Sequence, residues 1–407
     1  MATASPLAAS EAAGPGTMGD VRRSNLALVL GRIAYAPAGV HPSRAQVASA
    51  TGLTKASVSS LVLDLLDAGV IREVGLSQQG RGRPGVGLEL NSARAVLGME
   101  INVDYISAGV TDLTGNLLAL ETQERDNRPA AEGTVLAALA RLAAKVRAEA
   151  AGSGVQVLGG GLAVPGLVDA AASRVLTAPN LGWSDVDLDL DALLPDTPLG
   201  VSLFNEANAA ALAEVRHRPS GSSTFLFVSG EVGVGGGLVI GGELFTGPEG
   251  HAGEVGHVVV EPDGLPCSCG GAGCLETVAG QDAIFVAAGI DAEARTRSQS
   301  MAVLVQALQS GVPSALSSVE RAGRYLGVAL ASTARVVNIG AVVLGGHFAV
   351  IDPWLREPLL ASLEKHAPGR LPPDQVTAST LGQAGALLGA AGSVVRSLID
   401  APHLLQQ

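Results

Sequence analysis

Aromatic residues make up only 3% of this 407-residue chain, with six phenylalanines, three tyrosines and two tryptophans. That scarcity counts against a β sandwich built on large rings. With 47% hydrophobic residues and 53 glycines, the core must come from Ala, Val and Leu in closely approaching α/β layers. No apolar stretch approaches the roughly 20 residues a membrane span needs, so no membrane partner is expected. Met1–Asp20 lacks the basic start and continuous apolar run of a secretory leader. Three cysteines are too few, and odd in number, for a disulfide framework. A reducing cytoplasm is therefore the expected location. Basic charge is also short: the formal net charge is −12, which taken as uniform would argue against nucleic acid.

The charge is not uniform. From Met18 to Ala95 nine basic residues face five acids, a net of +4, which leaves −16 for the remainder. A small basic module on a large acidic body is implied. Residues 1–19 are rich in Ala, Ser, Pro and Gly and are expected to be disordered. Residues 20–92 read as a winged helix-turn-helix. A first helix begins near Val21, with Leu26, Val29, Leu30 and Ile33 on one face, and stops at Ala36-Pro37-Ala38-Gly39. Ser43 and Gln46 form a capping box for a second helix. Gly52 provides the turn, and Thr54 caps a third helix that runs to about Ala68. Its buried stripe is Val58, Leu61, Val62, Leu65 and Leu66. The outward Lys55, Ser57, Ser59 and Ser60 suit a phosphate backbone and base edges. Strands near Ile71–Val74 and Val86–Leu90 flank a slender loop with Arg81 and Arg83, a composition that enters minor grooves. Operator DNA is the expected partner, bound by a homodimer or a dimer of dimers on a palindromic site. The alternative is a helical protein-interaction module with a solvated charged face.

All three cysteines fall within His251–Glu276. Cys267, Cys269 and Cys274, with His257, make a closed four-ligand set of the kind that holds structural zinc. Gly264, Gly270, Gly271 and Gly273 let so short a loop wrap one ion. Three unrelated free thiols are the bland alternative.

From Ala95 to about Pro402 the pattern is α/β. Strands are expected at Val96–Ile101, Tyr105–Thr111 and Leu117–Thr122. A helix over Thr134–Ala151, with Leu136, Leu139, Leu142 and Val146 inward, and a strand at Val155–Val164 follow. A second cycle starts near Thr224 with strands at Phe225–Val228, Gly237–Ile240 and Glu243–Phe245. Two such cycles predict a duplicated, two-lobed body over 95–402, with a ligand cleft between the lobes.

Several ordered motifs carry a resemblance: GEVGH at 253–257 followed by CSCGGAGCLE, GLAVPGLVD at 161–169, NLGW at 180–183, FNEANAAALAE at 204–214 and VLGG at 343–346. The chain resembles the ROK family of repressors, open reading frames and sugar kinases, and within it the xylose-repressor-like regulators. The resemblance implies an actin-like, two-lobed fold. It also implies that Asn205, Glu206, Glu254, His257 and Glu276 bind sugar, and carboxylates with an amide do suit vicinal hydroxyls. Exposed salt-bridging is the plainer reading of Glu254 and Glu276.

Relative to the family's kinases, Asp-x-Gly-Gly-Thr is here Glu100-Ile101-Asn102-Val103-Asp104, and Gly-Thr-Gly-x-Gly is replaced by Gly230-Glu231-Val232-Gly233-Val234-Gly235. The catalytic Asp is Glu206, a degenerate base position. Asp104 and Glu231 are expected to face the phosphates and oppose a polyanion. The expectation is a sugar-responsive DNA-binding regulator, a repressor of carbohydrate-utilisation genes whose kinase domain no longer phosphorylates. The alternative is an ATP-dependent hexose kinase that retains a DNA-binding module. A zinc hydrolase is disfavoured, because four protein ligands leave no position for water.

Overall fold

The computed structural model describes residues 18–77, 85–128, 130–217, 222–292 and 296–406. Three helices come first: α1 (Met18–Ala34), α2 (Arg44–Thr51) and α3 (Lys55–Asp67). The antiparallel hairpin β1 (Ile71–Ser77) and β2 (Gly85–Leu90) completes a winged helix-turn-helix. α1 starts at Met18, inside the stretch expected to be disordered and three residues before Val21; Asp20 in its first turn suits the positive end of the helix dipole. Residues 1–17 lie outside the described residues, as do Arg81 and Arg83 of the wing.

Local chemistry sets the other two helices. Ser43 Oγ accepts from Gln46 N, and Gln46 Oε1 accepts from Ser43 N at 2.8 Å, the reciprocal capping box. Thr54 Oγ1 accepts from Ser57 N at 3.1 Å. Val58, Leu61, Val62 and Leu65 are buried, while Leu66 is only half-buried, at the margin of the core. Ser43→Ala is expected to cost about 1 kcal/mol, and faster hydrogen exchange at the Gln46 and Val47 amides is the readout.

The first lobe carries β3 (Arg94–Ile101), β4 (Tyr105–Asp112), β5 (Leu117–Glu124), α4 (Glu132–Gly152) and β6 (Gln156–Val164). A three-stranded flap follows, of β7 (Leu167–Asp169), β8 (Arg174–Ala178) and β9 (Trp183–Asp187), then β10 (Val201–Asn205) and α5 (Glu206–His217). In α4 the buried stripe includes Val135, Leu139, Leu142 and Val146, whereas Leu136 is partly exposed. The second lobe holds β11 (Phe225–Gly230), β12 (Val234–Ile240) and β13 (Glu243–Leu244). Next come α6 (Glu276–Ala279), α7 (Gln281–Ala288), α8 (Arg297–Gln309) and α9 (Pro313–Val337). β14 (Val342–Gly345), α10 (Gly346–Val350), α11 (Asp352–His366), β15 (Val376–Ala378) and α12 (Gly385–Asp400) complete it in sequence.

The two sheets are topological copies. One runs β10-β6-β3-β4-β5 and the other β15-β14-β11-β12-β13. In each, an antiparallel meander is extended by two parallel strands on its first strand. That is the duplicated α/β architecture, actin-like, which the two hydrophobic cycles imply.

α12 crosses back to the first sheet. A Cβ on Gly98 of β3 would lie 2.4 Å from Leu387 O, and one on Gly161 of β6 would lie 2.6 Å from Ala390 O. The outer face of α12 serves a second core. Leu26, Leu30 and Ile33 of α1 share one buried cluster with Val394, Val395, Leu398 and Ile399. The helices of the N-terminal module are therefore packed onto the body through α12.

Candidate functional site

The loop after β13 gathers the sulfurs. Cys267 N donates to Gly271 O at 2.9 Å, and Gly270 N donates to Cys267 O at 3.0 Å, closing a tight turn. Gly273 has φ 70°, and a Cβ there would sit 1.7 Å from Glu261 O, so this position requires glycine. His257 Nδ1 lies 3.6 Å from Cys267 Sγ, and Cys269 Sγ lies 3.7 Å from Cys274 Sγ. All four donor atoms fall within 4.8 Å of one another.

Zinc–thiolate bonds of about 2.3 Å put two sulfurs of a tetrahedron roughly 3.8 Å apart. The His257–Cys267 and Cys269–Cys274 spacings match that geometry. Burial and the two neighbouring sulfurs push the Cys274 thiol up to about 12. Crowded thiols that resist ionising are what a bound dication relieves. Among the described residues no other such donor cluster occurs.

The cysteine loop forms one wall of a cavity of about 120 Å³ between the lobes. Asn205, Glu206, Glu254, His257 and Glu276 all line it, as do Gly166, Asn180 and Ser268. With Nδ1 turned to the sulfurs, His257 Nε2 lies 3.8 Å from Glu254 Oε2. Glu276 Oε2 accepts from Val234 N at 3.3 Å, and its Oε1 accepts from Ser268 Oγ at 3.3 Å. Glu276 thus ties the cysteine loop to the glycine loop 230–236; a Cβ on Gly233 would lie 1.9 Å from its carboxylate. Asn205 caps α5: its Nδ2 donates to Gly166 O at 2.7 Å and its Oδ1 accepts from Asn208 N at 2.9 Å. Its amide is therefore largely engaged in holding the wall. Sequence reasoning missed Ser268, whose role depends on where Glu276 points.

A second cavity, of about 260 Å³, adjoins the first through Glu206, Ser229 and Glu231. Glu100 and Glu214 also line it, and among the described residues no lysine or arginine does. Glu100 is fully buried; its Oε1 accepts from Tyr105 Oη at 2.6 Å, and among the described residues its Oε2 meets no hydrogen-bond partner. Burial and the Glu206 charge raise Glu100 to about 8. Burial raises Glu206 to about 7. Glu231 is raised by burial, then by Glu206 and Glu100.

One expectation changes here. Asp104 does not face this cavity: it is paired with Arg297 at 3.1 Å and lines a different pocket. Burial raises the Asp104 carboxyl and the Arg297 guanidinium beside it offsets part of that, while Glu100 takes its place as the second carboxylate in the cleft.

These carboxyls hold protons in the folded state that the unfolded chain would release. Their cost to stability therefore grows as pH rises from about 4.5 toward 8. Glu231→Gln is expected to raise the unfolding temperature, and by more at pH 8 than at pH 6. Equal shifts at both pH values would show that the cluster is not where the protons reside.

On the basic module, Lys55, Ser57 and Ser60 are exposed at the start of α3 and Ser59 is half-exposed. Arg22 of α1 reaches across to Asp64 and Ser60 and braces the same helix.

The description "ROK family" belongs to the family model that matches residues 96–396. The xylose repressor of Bacillus subtilis is 28% identical over 362 residues, covering 88% of this chain and 92% of that one. A solved ROK family transcriptional regulator, a homologue of the E. coli MLC protein, superposes with a TM-score of 0.74 at 24% identity, covering 95% and 100% of the chains. A ROK glucokinase from Streptomyces griseus, solved with glucose and AMPPNP, gives 0.62 at 30% identity, covering 74% and 99%.

Proposed function

Because the chain belongs to the ROK family, we propose that it is a sugar-responsive transcriptional regulator, a repressor of carbohydrate-utilisation genes that binds operator DNA as a homo-oligomer. The observation that carries this reading is the pairing of a sugar-type cavity with an adjoining cavity lined by Glu100, Glu206, Glu214 and Glu231 without a basic residue. A hydroxylated neutral ligand suits the first. The second offers no cation to a nucleotide triphosphate, and phosphoryl transfer depends on stabilising negative charge.

Glu206, Glu254, His257 and Glu276 are the proposed sugar ligands, with Asn205 holding the wall against Gly166. His257 would be shared. Its Nδ1 would complete the zinc set with Cys267, Cys269 and Cys274, and its Nε2 would face the sugar. The zinc supplies rigidity, since no ligand position is left for water. Lys55, Ser57, Ser59 and Ser60 are the proposed DNA contacts, joined by Arg81 and Arg83 of the wing. Length supports the reading as well, because the xylose repressor relative is matched over both the module and the body.

For the sugar to act on DNA it must bind the two forms of the protein with different affinity. The test is a titration of the protein on its upstream DNA with glucose, xylose and N-acetylglucosamine. A shift of operator affinity with one of them is expected, and none with any sugar would sink the proposal.

The alternative is a hexose kinase that retains its DNA-binding module, and one observation favours it. Glu206 is buried and raised to about 7, which suits a general base. A coupled ADP-release assay separates the two: no turnover is expected, and turnover abolished by Glu206→Gln would replace the sensor reading.

A further inference from the structure

Arg297 opens α8 in the second lobe, and its side chain is only 10% exposed. Nη2 donates to Asp282 Oδ2 at 3.0 Å, Nη1 donates to Asp282 Oδ1, and Nη1 also lies 3.4 Å from Gln281 Oε1. Those bonds stay within one lobe. The remaining nitrogen, Nε, lies 3.1 Å from Asp104 Oδ2 of the other lobe, an ion-pair contact without hydrogen-bond geometry. A planar guanidinium can hold one carboxylate on its fork while its delocalised charge stays beside a second.

Both ends of this bridge lead to the cleft. Asp104 sits in the turn between β3 and β4, and Asn102 and Val103 of that turn line the sugar-type cavity. The turn is stiff: Asn102 N donates to Tyr105 O at 2.9 Å, Arg125 N to Asp104 O at 2.9 Å, and buried Asn127 Nδ2 to Asn102 O at 2.7 Å. On the other side, Gln281 N reaches Glu231 O at 3.3 Å, and Glu231 lines the facing wall. The chain of contacts runs from one wall, through the ion triad, to the other.

We propose that Asp104 and Arg297 are positioning residues for effector binding. Their ion pair sets how far apart the two walls stand, so that turn 102–104 and loop 230–236 meet the same ligand. This rests on reading the cleft as the sugar site. Asp104–Arg297 is the part of the triad that senses lobe separation, while Arg297–Asp282 moves as one body. Asp104→Asn therefore removes the inter-lobe half alone and leaves the guanidinium paired.

The test uses the full-length, zinc-loaded chain. Titration calorimetry with glucose, xylose and N-acetylglucosamine gives affinity, and hydrogen exchange on the sugar-free protein follows the segment 100–106. Asp104→Asn is expected to weaken the bound sugar five- to tenfold and to speed exchange at least threefold. Arg297→Gln should do as much, and Arg297→Lys, which keeps the charge without the fork, should fall between it and the wild type. Affinity within twofold of wild type in Asp104→Asn overturns the positioning role, whatever the exchange does. If Arg297→Gln fails to fold, Asp104→Asn decides alone. Should the wild type bind none of the three sugars, the sensor reading loses its support, while unchanged exchange in Asp104→Asn would still refute the inter-lobe tie.

Discussion

Cys269→Ser is expected to remove the metal, the sugar response and much of the second lobe's stability in one step. The base of the loop between β13 and α6 is tied to α9 through Glu261, which pairs with Arg321 and accepts from Tyr325 Oη at 2.6 Å, but its tip is exposed, with Leu265 at 63%. The tip takes its shape from short backbone turns and from the four donors. Structural zinc contributes folding energy outright, about 10 kcal/mol or more in small zinc domains. A serine hydroxyl is a far poorer ligand than a thiolate. Losing the ion also frees His257 and Glu276, whose positions define one wall of the cavity. Metal content below a tenth of an equivalent, sugar affinity down at least a hundredfold and a lower unfolding temperature should appear together. A zinc-free variant that kept its sugar affinity would break the link between metal and pocket.

Gly389→Ala comes second in size. A Cβ there would lie 1.7 Å from Ala209 O, so α5 and α12 touch backbone to backbone. Neither helix has room to withdraw, because the carbonyls of Leu387 and Ala390 on α12 already press on Gly98 and Gly161. Overpacking of that kind costs about 3 kcal/mol. The strain would fall between Glu206, which opens α5, and the face of α12 that carries the N-terminal module. Denaturant unfolding should show the loss, and operator affinity should fall with it. Gly392→Ala on the same helix is the control: its nearest neighbour is Arg216 Nη1 at 3.9 Å. There the change should be neutral or mildly stabilising, as helix propensity alone would have it.

What could be read from the sequence followed how local each signal is. Ser43 with Gln46, Thr54 with Ser57, and the spacing of His257 with three cysteines each lie within a short stretch, and each came out as expected. The duplicated sheet was legible because a meander followed by parallel strands leaves the same hydrophobic rhythm twice. The start of α1 was not, since Met18 and Gly19 have no strong helical signal and Asp20 acts only through the dipole. The two partners of Arg297 were invisible, because no periodicity relates positions 104, 282 and 297. Placing Asp104 at the phosphates failed for that reason: a carboxylate was read by its rank in a motif, and its charge partner came from another lobe. Glu100 reads from sequence only as a strand residue opening the phosphate motif, and its burial makes it the deepest acid in the cleft.

The core shared by α1 and α12 bears on how such regulators arise by recombination. A crossover in the turn near residues 91–93 would look harmless, since it cuts no helix or strand. Yet it would strip Leu26, Leu30 and Ile33 from Val394, Leu398 and Ile399, leaving two greasy faces matched to absent partners. The unit that travels together is the N-terminal module with α12. Chimeras that exchange both should fold, and those that exchange only the module should aggregate.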